Sequence, residues 1–168
     1  VDKPDWLPEI YQIGIRNVQG MCLSPFDNNV YITNHGARGG DWFGKVNFAG
    51  NYGWDKLYWG GTKYSGLPGG PKWLPGYDKP IKYYVPSIAT SACLMYSGNE
   101  FKEWKGEVLI ASLKHQSLRR LKFEKNKFIE EEVIFKNTIG RIRDVKQEQD
   151  GKILMLSDYG ELWRMSKK

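Results

Sequence analysis

An all-β fold of about three four-stranded β-propeller blades is what this sequence predicts, and three observations predict it. Hydrophobic residues alternate with a period close to two almost throughout, in short runs closed by Gly, Asn, Asp or Pro. One order of segments recurs three times: inner strand, turn, hydrophobic strand, polar connection, third strand, outer strand. The two ends complement each other, because the chain opens on an outer-type strand and closes on a third-type strand.

The opening strand is Glu9–Ile15, with Ile10, Ile13 and Ile15 as its apolar positions. The first blade spans residues 20–84 and passes from Met21–Pro25 through Asp27-Asn28-Asn29 into Val30–Thr33. Within it lies a long excursion rich in Gly, Pro and Trp, Asn51–Pro80, longer than a connecting loop requires. It reads either as a lid packing its own aromatics or as an interface on which a sugar could stack. The second blade spans 91–136, from Ala92–Tyr96 into Glu107–Ser112. Its last stretch, Phe128–Lys136, reads as strand because Val133, Ile134 and Phe135 are contiguous and strand-forming. The third spans 140–168, from Arg143–Gln147 through Gln149-Asp150-Gly151 into Lys152–Ser157 and then Glu161–Ser166. It wants an outer strand from elsewhere, and strand 9–15 is the candidate. The three blades form one domain, and two copies exchanging that strand would close six blades about a twofold axis.

The longest apolar runs, Val108–Ala111 and Ile153–Leu156, are too short to cross a bilayer, and Val1–Trp6 lacks a basic-then-apolar targeting pattern. Lys and Arg number 25 against 19 Asp and Glu, a net +6 that suits an anionic partner. The positive residues are scattered and carry no nucleic-acid-binding motif, so neither nucleic acid nor a membrane is the expected partner. Cys22 and Cys93 sit in similar segments, Gly20-Met21-Cys22-Leu23 and Ser91-Ala92-Cys93-Leu94. They read as buried thiols at equivalent places in adjacent blades, ordinarily too far apart to bond.

In an antiparallel four-stranded blade, the connection entering the inner strand and the one following the second strand fall at the same end. Those connections hold Arg16-Asn17, Ser87–Ser91 and Gly140–Asp144, together with Asn34–Gly40, Lys114-His115-Gln116 and Asp158-Tyr159-Gly160. Four of the six carry Arg or Lys, so one channel mouth becomes basic, which suits a small polyanion bearing carboxylates. The glycines of Asn34–Gly40 would let main-chain carbonyls approach a hard cation such as calcium. No EF-hand, zinc spacing, phosphate loop or catalytic serine motif is present.

Five motifs, taken in order, resemble a known family: Ile15-Arg16-Asn17-Val18-Gln19-Gly20; Asn34 through Asp41; Gly50-Asn51-Tyr52-Gly53-Trp54; Pro86-Ser87-Ile88-Ala89; and Gly140-Arg141-Ile142-Arg143-Asp144-Val145. They are similar to the C-terminal half of soluble aldose sugar dehydrogenases dependent on pyrroloquinoline quinone (PQQ), the glucose and sorbosone dehydrogenase family. The resemblance implies half of a six-bladed propeller, oxidation of an aldose at its anomeric carbon, and a periplasmic or secreted setting. It assigns Arg16, Asn17, Lys114, Arg141 and Arg143 to the PQQ site, and the main-chain carbonyls of Gly36 and Ala37 to calcium. Val18, Asn34, Ala37 and Trp42 depart from the residues usual at their positions. The general-base histidine of the family lies in blades this chain does not contain, so no catalytic residue is assigned here, and His35 and His115 do not match it. The chain is then expected to be inactive alone, needing an N-terminal half-propeller partner and a sugar substrate. The alternative is a homodimeric six-bladed scaffold, or a small-ligand or carbohydrate-binding protein without redox activity.

Overall fold

The computed structural model describes residues 5–124 and 127–168; residues 1–4, part of the segment read for a targeting pattern, lie outside them. Among the described residues, apart from one 3-10 turn at Lys102–Trp104, every regular element is a strand. In chain order these are β1 (Gln12–Ile13), β2 (Val18–Leu23), β3 (Val30–Asn34), β4 (Asp41–Lys45), β5 (Gly50–Asn51) and β6 (Lys82–Tyr84). They continue with β7 (Thr90–Met95), β8 (Val108–Ser112), β9 (Ser117–Glu124), β10 (Lys127–Ile134), β11 (Ile142–Gln147), β12 (Ile153–Ser157) and β13 (Leu162–Met165). Three antiparallel sheets result, ordered β2-β3-β4-β6, β7-β8-β9-β10 and β11-β12-β13.

The middle sheet shows why the run from Val108 to Ala111 is apolar without alternation. Val108 and Ile110 pack toward the first sheet with Phe43, Cys93 and Leu121. Leu109 and Ala111 point the other way, into a core shared with Ile142, Val145, Ile153 and Met155 of the third sheet. A strand covered on both faces has no solvent side on which a polar residue would be favoured. In the first sheet the alternation is split likewise: Tyr31 stacks on Phe43 toward the second sheet, whereas Trp42 stacks on Tyr52 beneath the excursion.

Residues 9–15 do not complete the third sheet within this chain. Gln12 and Ile13 pair in parallel with Gly50 and Asn51, and the ladder continues as Tyr52 and Trp54 donate to the carbonyls of Ile13 and Gly14. Gly14 makes this fit possible: it has φ +71°, and a Cβ there would lie 2.0 Å from Asn51 Oδ1. The sequence marks the strand but not its partner, which lies across a turn too irregular for a repeat pattern to reveal. The third sheet therefore ends at β13, with Leu156, Leu162 and Trp163 exposed, while at the opposite flank β2 exposes Met21 and Leu23.

The cysteine expectation is also corrected, since Cys22 and Cys93 form a disulfide with Cα atoms 5.7 Å apart. Inner strands of adjacent blades converge here because Gly20 has no side chain: a Cβ at that position would lie 2.2 Å from the Ser91 carbonyl oxygen. That close approach brings the two cysteines into the separation a disulfide spans, roughly 4.4 to 6.8 Å. Among the described residues no helix is long and apolar enough to cross a membrane.

Candidate functional site

The predicted meeting of connections occurs in every blade and is fixed by main-chain hydrogen bonds. His35 N donates to the Asn17 carbonyl at 2.9 Å, Leu113 N to Ala89 at 2.8 Å, Lys114 N to Ile88 at 3.0 Å and Asp158 N to Arg141 at 2.9 Å. Arg16, Lys114, Arg141 and Arg143 consequently stand at the same end of their sheets. Asn34, buried in the first of these junctions, accepts from the backbone N–H groups of Arg16 (3.2 Å) and Asn17 (2.7 Å) through Oδ1.

Between the first two blades this end opens into a cleft of about 770 Å³ whose walls include Gly36, Ala37, Arg38 and Lys114. Its floor is organised by Asp41, 1% exposed. The Asp41 carboxylate accepts from Gly36 N (2.9 Å), Ser87 Oγ (2.7 Å) and Ala89 N (2.7 Å), tying the glycine loop of one blade to the entry of the next. A buried carboxylate is tolerable when donors replace its lost hydration, and three do so here. The glycines serve the loop's own packing as well: a Cβ on Gly36 would lie 2.0 Å from the Gly39 oxygen, and one on Gly40 2.2 Å from the Tyr58 oxygen.

The cations divide into two groups. Lys114 is exposed in the cleft, and Arg38 faces it from the opposite loop; among the described residues neither makes an ion pair. Arg16 lies against this region, reaching the His35 carbonyl with Nη1 (3.3 Å) and the Tyr64 hydroxyl with Nη2 (3.1 Å). Its Nε is buried without a partner among the described residues. Arg141 and Arg143 stand on the third sheet, outside the lining of the cleft, and both donate through Nε to Asp158. These hydrogen bonds from the two guanidinium groups hold the Asp158 carboxyl below the usual carboxylate range. Their mutual repulsion is thus relieved within the chain, so the pair does not by itself require an external anion. Asn17 sits beside Arg16 with its side chain exposed, accepting from Gln19 Nε2 at 2.8 Å.

Both histidines are engaged. His35 Nε2 donates to the Thr90 carbonyl at 2.7 Å, joining the residue after β3 to β7. His115 Nδ1 accepts from Arg119 Nη2 at 2.8 Å, and burial, reinforced by the Arg119 charge, pushes its pKa down. Each ring is thus anchored through one nitrogen to a neighbouring strand or side chain.

The residues present fit a carboxylate-rich cofactor, because Arg38 and Lys114 line the cleft with no ion-pair partner among the described residues, and the Arg16 guanidinium, whose buried Nε has no partner among them, stands beside it. For a cation, no cluster of three His, Cys, Asp or Glu side chains exists among the described residues. The carbonyl oxygens of Gly36 and Ala37 remain available, for no donor among the described residues reaches them, whereas Asp41 is already committed. A hard cation there would draw on main-chain oxygens. Sequence reasoning placed Arg38, Ser87, Asp158 and Asp41 in the connections and motifs of this mouth without assigning them a site role, and it missed Tyr64. For Arg38, Ser87 and Asp158 only the direction of the side chain was hidden. Tyr64 gave no signal, because nothing in a loop without periodicity says which strand end it will touch.

The chain matches the family model described as Glucose / Sorbosone dehydrogenase over residues 1–164. It is 34% identical over 163 residues to the aldose sugar dehydrogenase YliI of Escherichia coli K12, covering 94% of this chain and 44% of that protein. A solved glucose dehydrogenase superposes with a TM-score of 0.90 at 30% identity, covering all of this chain and 49% of that one. The PQQ-bound aldose sugar dehydrogenase of Streptomyces coelicolor shares the fold, with a TM-score of 0.71 at 18% identity, over 94% of this chain and 45% of that one. The chain spans about half the length of the relatives it matches, and it belongs to the glucose and sorbosone dehydrogenase family.

Proposed function

We propose that this chain is the cofactor-holding half of a PQQ-dependent aldose dehydrogenase. The observation that carries the reading is the basic mouth where Arg16, Arg38 and Lys114 gather beside the unclaimed Gly36 and Ala37 carbonyls, with Arg141 and Arg143 at the same end of the third blade. Bound PQQ would supply the redox chemistry, accepting a hydride from the anomeric carbon of an aldose. This chain's own residues hold and orient: the guanidinium and ammonium groups bind carboxylates, Asp41 fixes the glycine loop, and the Gly36 and Ala37 carbonyls offer ligands to calcium. Neither His35 nor His115 matches the family's general-base histidine, and each is held through one ring nitrogen in a structural bond, so we assign the base that takes the sugar hydroxyl proton to blades outside this chain.

The missing half is a further set of blades. Met21 and Leu23 at one flank, and Leu156, Leu162 and Trp163 at the other, are apolar surfaces of the kind that adjoining blades cover inside this structure. An N-terminal half-propeller fits the length of the relatives. Strand exchange between two copies would first have to break the β1–β5 ladder. The formed disulfide supports an oxidising compartment, periplasmic or secreted.

The test is a titration with PQQ and calcium, followed by tryptophan fluorescence, alongside the mass in solution. Arg141→Ala with Arg143→Ala should weaken binding by about 2 kcal/mol, discounted from roughly 1.5 to 3 per charge-assisted contact because both side chains are substantially exposed and shared with Asp158. Unchanged affinity in the double variant and in Lys114→Ala would remove the site. Dye reduction with an aldose by this chain alone would overturn the external-base assignment.

A further inference from the structure

Among the described residues the Asn51–Pro80 excursion contributes no strand to the blade sheets, only its first residue Asn51 lying in β5, yet it closes back on the basic mouth. Arg38 and Thr62 exchange main-chain hydrogen bonds at 3.1 and 2.9 Å, and Lys63 N bonds to Leu67 O at 3.0 Å. Those bonds form a tight loop that presents Tyr64. This tyrosine is 71% exposed and belongs to no core cluster, so packing does not explain its position. Its hydroxyl accepts from Arg16 Nη2 at 3.1 Å, and its ring centroid lies 5.5 Å from the Arg16 guanidinium carbon. Trp54, from the start of the same excursion, places its ring 5.3 Å from that carbon. One guanidinium is thus approached by two aromatic rings, with one terminal nitrogen tied to the Tyr64 hydroxyl and the other to the His35 carbonyl.

We propose that Tyr64 is a positioning residue, which together with Trp54 clamps the Arg16 guanidinium at the cleft mouth. An arginine free to sample its rotamers must be ordered when it meets an anion, and a clamp made beforehand removes that cost. The aromatic faces also gain cation–π attraction where water is partly excluded. The Trp54 ring is occupied by Arg16 and by Tyr58, 4.9 Å away, so this ring of the excursion is not a free platform for a sugar. The clamp stands on the geometry alone, and only the identity of the anion rests on the function proposed above.

Two readouts test it, applied to this chain with Tyr64→Ala and Tyr64→Phe. The first is the rate of phenylglyoxal modification at Arg16, resolved by peptide mass mapping without any ligand. Tyr64→Ala should raise that rate about threefold or more and Tyr64→Phe by less, since it keeps the ring and loses only the hydroxyl. Melting temperature should be unchanged, because the side chain is exposed. An unaltered Arg16 rate in Tyr64→Ala overturns the clamp. The second readout is PQQ affinity in a cycle with Arg16→Ala: Tyr64→Ala should weaken binding roughly three- to tenfold with Arg16 present and not at all without it. Equal weakening in both backgrounds overturns the clamp as well. If PQQ fails to bind the unaltered chain, the proposed function falls, and the modification rate decides the clamp by itself.

Discussion

Reducing the Cys22–Cys93 bond should cost this fold a large part of its stability, by an amount that can be worked from the chain path. The cysteines are 71 residues apart, and a closed loop of that size withholds from the unfolded chain entropy equivalent to about 4 kcal/mol at 25 °C. Little of this should be recovered in the folded state, because β2 and β7 stay joined after reduction. Thr33 Oγ1 still donates to the Ser91 carbonyl, and His35 still donates to Thr90. The loss therefore comes from the unfolded side, and it carries a second signature: the reduced unfolded chain is more expanded, so the denaturant slope should rise as the midpoint falls. The assay is urea unfolding with and without reductant, repeated on Cys22→Ala with Cys93→Ala, which should start near the reduced value and ignore reductant. A free-energy change under about 1 kcal/mol on reduction, with no change in slope, would refute the reasoning.

Two further outcomes follow from the site. Asp41→Ala removes the acceptor for Gly36 N, Ser87 Oγ and Ala89 N and should destabilise the chain by about 3 kcal/mol or more in urea unfolding; a cost under about 1 kcal/mol would mean water replaces the carboxylate freely. His115 titrates below its unfolded value of 6.5 because burial and the neighbouring Arg119, Lys136 and Lys114 charges disfavour its protonation, with Glu131 opposing them. Its depressed folded pKa means that stability is fully present above about pH 6.5 and is lost as pH falls through the folded value. His115→Gln should flatten the melting temperature between pH 7 and 5.5, and an unflattened curve would show that other groups govern that limb.

The sequence by itself determined the strands of the blades, the three-fold recurrence and the gathering of polar connections at one end, but not the β1–β5 pair. Each of these follows from local alternation and from the reversal of direction between neighbouring strands. It also placed Cys22 and Cys93 as counterparts, and Phe128–Lys136 as largely strand, realised as β10. Tertiary structure alone decided what touches what across blades. Whether the cysteines bond depends on how closely Gly20 lets β2 approach Ser91, and whether Arg141 and Arg143 repel depends on where Asp158 turns. Whether residues 9–15 are free to be donated depends on a two-residue parallel pairing with β5. Such contacts join residues far apart along the chain, and periodicity, being local, carries no information about the distance between two blades once they have packed.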